Sequence, residues 1–359
     1  MLKVARIGSF PTTDYNTIGK YGFELCQDDR WETYVFAPRY SGKWLQAQNV
    51  RAIESHKVWA RRDLPPSTLL RLPAFIGWIL HIIWVQIKAI AFLRSKHVDV
   101  VHIHSQLYSL VALWGKMRGK RVFLTFHGED YNNMQSSRLL QSLLSCYSSV
   151  FVISPLMKET ASSYFDGEIV YTPNGVDTTL FKNKNLKRDN TILCVASFKK
   201  VKRHLALVRA FAELIKNPHY ANYKLILAGD GPLRSEISTE IQALGLDTVV
   251  DFVGHLSSNE LVSQYNKSQL LVLQSEREGF PKVILEGMAC GIRLAVSPVG
   301  SIPTILGEDF PFYINDVSPK PFASVIGTAL SAPDHSADIS AYTWDNLRNT
   351  LHKYYTPDD

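Results

Sequence analysis

The stretch LLVLQSEREGFPKVILEGMACG, residues 270–291, decides the fold because it reads as a strand, a polar turn and a helix in direct succession. The apolar run from Leu270 to Leu273 predicts a buried strand. Pro281 suits the first position of a helix, where a missing N–H costs nothing. The N–H groups at the start of such a helix, with the helix dipole behind them, favour an anion. The stretch therefore predicts an α/β unit with an anion-binding position beyond a strand end.

Two carboxylates lie in this stretch, eight positions apart. Glu278 is in the turn and Glu286 is in the predicted helix, while Gly279 lets the backbone approach a ligand closely. A carboxylate hydrogen-bonds a diol well and repels a phosphate, so we expect both Glu side chains to face sugars. The combination predicts a site for a sugar nucleotide.

Short apolar runs alternate with helical patterns through the rest of the chain, which is typical of parallel sheets with helical crossovers. A polar stretch from Lys182 to Asn190 separates two such series. We therefore predict two α/β domains, at residues 1–180 and 181–338, and a final helix within 339–359. The predicted strands that precede candidate site residues are Val4–Phe10, Val98–His104, Arg121–Phe126, Thr191–Ala196 and Lys224–Ala228.

Ligands of open parallel sheets bind beyond the carboxyl ends of the strands. His104 and His127 stand at two such ends; His127 is interpreted as functional, while His104 is open between a site residue and a structural histidine. In the second series the same edge carries Gly229, Gly231 and a cationic run. That run is Lys199, Lys200, Lys202 and Arg203, one of which we expect to contact a diphosphate.

The charge of the chain is uneven. Its formal net charge is +6, and residues 1–121 hold 18 Lys and Arg against 8 Asp and Glu. A basic half could meet nucleic acid, an anionic membrane or a phosphorylated substrate, and nucleic acid is disfavoured because no recognised binding motif accompanies the charge. The four cysteines are far apart in the sequence, which favours a reducing cytoplasm without disulfides. The start of the chain reads as a strand, so no signal peptide is expected.

The apolar segment from Leu72 to Leu93 has three interpretations. It is long enough to span a membrane, yet His81, Gln86 and Lys88 interrupt it and a strand of the same sheet follows at once. It is otherwise a buried crossover helix, or an interfacial helix within a membrane-facing segment 61–96.

With these residues assembled, the chain resembles the retaining glycosyltransferases of the GT4 type, which have the GT-B fold. The resemblance rests on five motifs in order, and it covers nearly the whole chain. The motifs are His127-Gly128-Glu129-Asp130, Pro173-Asn174-Gly175-Val176-Asp177 with Phe181, Gly229-Asp230-Gly231-Pro232, the E-x7-E pair Glu278 and Glu286, and a closing helix with Trp344 and Tyr355.

The resemblance implies two Rossmann-like domains facing across a cleft, with the last helix crossing back to the first domain. It implies that Glu278 holds donor-sugar hydroxyls, Glu286 binds the ribose diol and Lys202 faces the diphosphate. His127 is implied beside the anomeric centre, as a third catalytic residue with Glu278 and Lys202. The other expected donor contacts are Gly19, Ser197, Gly229, Gly231, Gly279, Phe280, Pro281, Lys282 and Val283, and those on the acceptor side are His104 and Asp130.

Three positions depart from the family pattern. Ser197 stands where the family often has Arg, only Gly19 represents the usual paired glycines, and Thr304 replaces a common Glu. We expect a metal-independent retaining transferase without a cofactor, acting on a nucleotide sugar, with UDP favoured as the nucleotide, and on a lipid-linked or oligosaccharide acceptor. We expect it at the inner face of the cell membrane, in cell-envelope synthesis. The alternatives are a sugar-nucleotide epimerase of the same fold and a catalytically silent sugar-binding module.

Overall fold

The computed structural model describes residues 1–8, 17–36, 50–54, 71–127, 137–333 and 338–356. The chain divides into two compact units. The first contains Met1–Pro173 with Leu347–Asp359, and the second contains Asn174–Asn346. The division falls at Pro173, and Val176, just after it, packs in the core of the second unit.

In the described part of the first unit, seven parallel strands form one sheet in the order β3-β2-β1-β4-β5-β6-β7. Strands β4 and β6 are buried along their whole length, as expected where helices cover both faces of a parallel sheet. The strands are β1 (Leu2–Ile7), β2 (Trp31–Phe36), β3 (Val50–Glu54), β4 (Val100–Ile103), β5 (Arg121–Phe126), β6 (Ser149–Val152) and β7 (Glu168–Tyr171). The helices are α1 (Thr17–Leu25), α2 (Arg71–Ser95), α3 (Ser109–Met117), α4 (Arg138–Leu143) and α5 (Pro155–Ser162).

The second unit has a five-stranded parallel sheet in the order β10-β9-β8-β11-β12 among its described residues. The strands are β8 (Thr191–Val195), β9 (Lys224–Ala228), β10 (Val250–Gly254), β11 (Leu270–Leu273) and β12 (Arg293–Val296). The helices are α6 (His204–Leu214), α7 (Arg234–Ala243), α8 (Ser258–Lys267), α9 (Lys282–Ala289), α10 (Ile302–Leu306) and α11 (Pro319–Ser331). These two parallel-sheet units confirm the predicted α/β fold.

Each sheet reverses its strand order beside its first strand. In the first sheet, β1 lies between β2 and β4, and in the second, β8 lies between β9 and β11. In each sheet, the connections on the two sides of this first strand therefore run in opposite directions. A crevice opens between them at the carboxyl ends of the strands. The loops after β8 and β11 carry Lys202 and Glu278 to this position.

Helix α2 is the crossover between β3 and β4, and one of its faces is buried. Ile82, Val85, Ala89 and Leu93 pack in the core of the first unit. None of the helices that the structure describes is both long and apolar enough to cross a membrane. The spanning interpretation of Leu72–Leu93 is therefore wrong, and the crossover interpretation accounts for the buried face.

The closing helix α12 (Trp344–Tyr355) begins in the second unit, and from Leu347 onward it belongs to the first. The resemblance predicted this return of the chain. Tyr355 is fully buried, and its hydroxyl contacts His102 Nδ1 and lies 3.2 Å from Arg6 Nη1. The Arg6 guanidinium is also fully buried, 5.3 Å from the ring centre of Trp31. The closing helix is thus held by polar contacts inside an apolar core.

The buried Tyr355 hydroxyl makes a testable contribution to stability. We expect Tyr355→Phe to lower the free energy of unfolding by about 1–3 kcal/mol, because it removes a buried hydroxyl that accepts from Arg6 Nη1 and contacts His102 Nδ1. Tyr354→Phe is the matched control, since its hydroxyl bonds Glu168 at the surface and should cost less than about 0.5 kcal/mol. Urea unfolding of both variants measures the difference. Equal losses of unfolding free energy in the two variants would mean that the buried Tyr355 hydroxyl stabilises the fold no more than the exposed Tyr354 hydroxyl does.

Candidate functional site

The loop after β8 is packed tightly against the turn after β9. Phe198 N donates to Asp230 O at 3.0 Å, and Leu233 N donates to Phe198 O at 3.0 Å. A Cβ on Gly229 would lie 2.1 Å from Ala196 O, and one on Gly231 would lie 2.7 Å from Phe198 O. Close packing therefore leaves no room for a side chain at either position, which explains both glycines. A donor contact by either one stays a prediction.

Lys202 and Glu278 form an ion pair across the β8–β11 crevice. Lys202 Nζ lies 2.5 Å from Glu278 Oε1, and their side chains are 20% and 10% exposed. Ser275 Oγ donates to the same oxygen at 2.5 Å. Of the cationic run predicted at this edge, only Lys202 holds Glu278; Lys199 and Lys200 are exposed.

Backbone contacts fix this pair in place. Glu276 N donates to Val201 O at 2.8 Å, and Gln274 Nε2 donates to Lys202 O at 2.7 Å. Arg203 then turns the chain into α6 with a left-handed backbone, φ +50°, which costs a non-glycine residue about 1–2 kcal/mol. Sequence reasoning missed Gln274 and Ser275, although their place directly after a buried strand was a usable signal.

The loop after β12 supports Glu278 from the other side. Gly300 has φ +61°, and a Cβ there would lie 1.9 Å from Glu278 O. Ser301 Oγ donates to Gly279 O at 2.5 Å. Residues from three strand ends, β8, β11 and β12, therefore position one carboxylate.

Helix α9 begins beside this carboxylate. Pro281 is its N-cap, one position before the helix proper, with φ −81°. Gly279 is exposed, and a Cβ there would meet nothing within 4 Å. Phe280 and Val283 pack against the core of the second unit, so their side chains have a structural role. The position of the backbone near Gly279 still allows the anion contact that the sequence predicts.

Glu286 lies on α9 and is only 4% exposed. Its Oε2 accepts a hydrogen bond from the Tyr265 hydroxyl at 3.0 Å. The bond orients one carboxylate oxygen. Sequence reasoning missed Tyr265, because no local pattern links two residues of different helices.

In the first unit, β4 and β5 are neighbours and bring three histidine rings together. The ring centres of His102 and His104 are 4.2 Å apart, and those of His104 and His127 are 5.9 Å apart. His102 Nε2 lies 2.7 Å from Thr125 Oγ1, so His102 has a structural partner. Both ring nitrogens of His104, and Nε2 of His127, have no hydrogen-bond partner among the described residues.

All three histidines are buried and held neutral. Burial lowers the pKa of His127 to about 4. Burial and then the charge of Arg6 lower the pKa of His102 well below its usual value. For His104, burial comes first, and neighbouring His102 and Arg6 lower its pKa further. At neutral pH each ring can both donate and accept a hydrogen bond.

Three more of the expected site residues are Gly19, Asp130 and Ser197. Gly19 lies in helix α1, and its donor contact stays a prediction. Asp130, with Gly128 and Glu129, lies outside the described residues. Ser197 is half-buried in the loop after β8, and its carbonyl accepts from Lys199 N at 2.8 Å.

A metal site would need several ligands close together. Across the described residues, no group of three or more His, Cys, Asp and Glu side chains is placed to hold a metal ion.

Two Rossmann-like units, with a closing helix that returns to the first, define the GT-B class of fold. Residues 176–344 match the family model "Glycosyl transferases group 1", and residues 24–180 match "Glycosyltransferase Family 4". The chain belongs to the GT-B glycosyltransferases of this GT4 type.

Curated relatives and a solved structure are similar to the chain. The N-acetyl-alpha-D-glucosaminyl L-malate synthase of Bacillus anthracis is 28% identical, over 62% of this chain and 63% of its own. One component of the phosphatidylinositol N-acetylglucosaminyltransferase of Arabidopsis thaliana is 22% identical, over 74% of this chain and 61% of its own. The chain therefore spans less than two thirds of these two relatives. Anabaena HepE, solved with UDP and glucose, has 17% identity and a TM-score of 0.66, covering 99% of both chains.

Gly300 allows a test of how Glu278 is positioned. We expect Gly300→Ala to weaken nucleotide-sugar binding at least about tenfold, because its Cβ would displace the Glu278 backbone. Gly245→Ala is the matched control: its φ is +68° and nothing lies within 4 Å of its Cβ. Both variants should lose similar stability from the positive φ. Calorimetric titration measures binding, and unchanged affinity in Gly300→Ala would contradict the arrangement.

The buried histidines predict a pH-dependent stability. Because the folded pKa of His127, about 4, lies below the unfolded value of about 6.5, the unfolded chain binds more protons in this window. Stability is therefore fully present above about pH 6.5 and falls as the pH drops towards 4. We expect His127 alone to cost about 2 kcal/mol between pH 7.5 and pH 5. Chemical unfolding at both values measures this, and His127→Gln should show a smaller pH dependence than the unaltered protein.

Proposed function

We propose that the protein transfers a sugar from a nucleotide diphosphate sugar to a lipid-linked or saccharide acceptor, with retention of configuration and without a metal ion. The observation that carries the proposal is the Lys202–Glu278 pair at the strand-order reversal of the second sheet, beside the start of α9. Lys202 and the helix start suit the diphosphate of such a donor, Glu278 suits its sugar, and Glu286 on α9 suits its nucleoside.

Glu278 is arranged to accept a sugar hydroxyl. Lys202 and Ser275 both donate to Oε1, and no described residue donates to Oε2. An ionised carboxylate accepts about four hydrogen bonds, so Oε2 is available to a hydroxyl of the donor sugar. The contact would hold the sugar while the bond to its anomeric carbon breaks.

Lys202 supplies the charge that the leaving group needs. Its ammonium has three donors, so it can bind Glu278 and a phosphate oxygen at the same time. Charge on the diphosphate grows as the glycosidic bond breaks, and a fixed cation stabilises that state more than the ground state. Lys202 thereby takes the electrostatic role for which other transferases use a metal ion.

Glu286 fits the nucleoside part of the donor. Tyr265 donates to its Oε2, and the carboxylate can accept further bonds from the two hydroxyls of a ribose. A buried carboxylate that binds a diol discriminates strongly, because losing its partners is costly.

His127 would act at the reacting sugar as a neutral ring. With a pKa of about 4, it is uncharged at pH 7 and can exchange hydrogen bonds with hydroxyls without repelling a cationic transition state. We name no protein nucleophile: departure of the diphosphate and attack by the acceptor on the same face account for retention.

The comparisons suggest which substrates to test first. Two relatives carry N-acetylglucosaminyl in their names, and one of these names includes phosphatidylinositol. A solved structure of the same fold contains UDP and glucose. We therefore favour UDP-N-acetylglucosamine as the first donor and a lipid-linked acceptor at the inner membrane face, within cell-envelope synthesis.

A thermal-shift panel of UDP-, GDP- and ADP-sugars tests the donor. A ligand present at about 100 times its Kd stabilises the folded state by about 2.7 kcal/mol, so the true donor should raise the Tm by several degrees. We expect the UDP-sugars to do so. No shift with any nucleotide sugar would contradict the proposal, and isomerisation of a donor without acceptor would favour an epimerase.

Three carboxylate variants separate the roles within the site. Glu278→Ala should lower the transfer rate at least about 100-fold with a smaller effect on donor affinity, while Glu286→Ala should weaken donor binding at least about tenfold. Glu276→Ala is the matched control, since its side chain is 52% exposed two positions from Glu278. His127→Ala should lose rate more than affinity. Wild-type binding and turnover in both Glu278→Ala and Glu286→Ala would refute the assignment.

A further inference from the structure

Helix α2 has a second apolar face that is exposed in the part of the chain that the structure describes. Five large apolar side chains recur along it at spacings of three or four, so they lie on one side of the helix. The side chains and their exposed fractions are Ile76 (49%), Ile79 (38%), Leu80 (60%), Ile83 (43%) and Ile87 (59%). A crossover helix needs only its core face to be apolar, so this exposed face requires another explanation.

Helix α3 and the turn before it continue the same feature. Leu110 N in α3 donates to Gln86 Oε1 in α2 at 3.1 Å, so the two helices lie side by side. Ile79 and Ile83 lie two turns and one turn before Gln86, on the same side of α2. The exposed apolar side chains of this segment are Leu107 (41%), Leu110 (56%), Leu113 (39%) and Met117 (71%). We call these nine side chains the α2–α3 apolar surface.

The concentration of these side chains is significant. Fifteen large apolar residues are exposed in the described chain, and nine of them lie on α2, on α3 or in the turn before α3. Exposed apolar residues scattered singly need no explanation, but a contiguous group marks an interaction site.

Cations and tryptophans accompany the α2–α3 apolar surface on the same part of the chain. Between residues 71 and 120 the chain has seven Lys and Arg and one acidic residue, Asp99. Each helix carries a tryptophan with a cation four positions later: Lys88 Nζ lies 5.5 Å from the Trp84 ring, and Arg118 Cζ lies 5.8 Å from the Trp114 ring. Tryptophan and long cationic side chains are enriched where apolar protein meets lipid headgroups.

We propose that the α2–α3 apolar surface docks into an anionic lipid bilayer, with both helices lying in the plane of the headgroup layer. The apolar side chains would enter the upper acyl region, and Lys88, Arg94, Lys96 and Arg118 would contact anionic headgroups. An in-plane position agrees with the finding that no described helix is long and apolar enough to cross a membrane.

Charge favours a lipid surface over a second copy of the chain. A two-fold contact through the α2–α3 apolar surface would place the same cations of both copies near each other, and Asp99 is the single acidic residue between positions 71 and 120 that could offset them. Anionic headgroups instead neutralise every cation at the rim. The inference rests on the proposed function in one respect, since a membrane-borne acceptor explains why an enzyme of this kind would dock there.

Vesicle flotation of the full chain tests the proposal. The probes are phosphatidylcholine vesicles with and without roughly one third phosphatidylglycerol, at low and high salt. We expect flotation with the anionic vesicles, at least about tenfold less binding at high salt, and a blue shift of tryptophan fluorescence on binding. No flotation with anionic vesicles at low salt would overturn the proposal.

Matched variants assign the binding to these helices. Leu80→Gln/Ile87→Gln/Leu110→Gln should lower vesicle binding at least about tenfold. The control Leu186→Gln/Leu244→Gln removes side chains of similar exposure, 48% and 41%, from the second unit and should bind within about twofold of the unaltered chain. Lys88→Gln/Arg94→Gln/Lys96→Gln should abolish the preference for anionic vesicles. All these side chains are exposed, so folding should be unchanged, which melting curves check.

Two results would contradict the proposal. One is undiminished flotation of the apolar triple variant. The other is a dimer that the same variant converts to a monomer in light scattering, which would identify a second copy as the occupant. Nucleotide-sugar thermal shifts without vesicles are measured in parallel, so loss of lipid binding and failure of the proposed transferase activity are distinguished.

Discussion

The reversal of strand order in each parallel sheet is the constraint on which the candidate site depends. A polar or charged side chain inside a parallel sheet would be buried between two layers of helices at high cost. Beyond the carboxyl end of a central strand, where successive crossovers depart in opposite directions, the same side chain finds a crevice. Lys202 follows β8 and Glu278 follows β11, and these strands are neighbours only because the order reverses between them. If β11 instead lay next to β10, beyond the other edge of the sheet, Lys202 and Glu278 would lie at opposite edges.

Backbone contacts, more than side chains, hold this crevice in shape. Gly229 and Gly231 allow the loops after β8 and β9 to touch, and Gly300 allows the loop after β12 to reach the Glu278 carbonyl. Ser275 and Ser301 add short hydrogen bonds to Glu278 and Gly279. The result is a carboxylate whose position is set before a ligand arrives, and preorganisation of this kind reduces the cost of binding.

The first unit buries several titratable groups in its core. Its three stacked histidines are neutral because desolvation lowers the pKa of each ring, and the nearby Arg6 charge lowers the pKa values of His102 and His104 further. Arg6 is itself buried, and the Tyr355 hydroxyl at the end of the chain lies between it and His102. The closing helix is therefore part of the polar core that contains Arg6 and His102.

The sequence by itself determined the α/β class, the two parallel sheets, the placement of Glu278, His104 and His127 just beyond strand ends, and that of Glu286 in the helix after Glu278. These features follow from local periodicity and from turn residues, which depend on near neighbours in the chain. Only the tertiary structure decided which cation pairs with Glu278, since the contact joins residues 76 positions apart and four cations were available. It also decided that Tyr265 orients Glu286, that three histidine rings stack, and that α2 keeps an exposed apolar face beside α3. Such contacts depend on how strands are ordered and how helices lie across them, and no local pattern of residues carries that information.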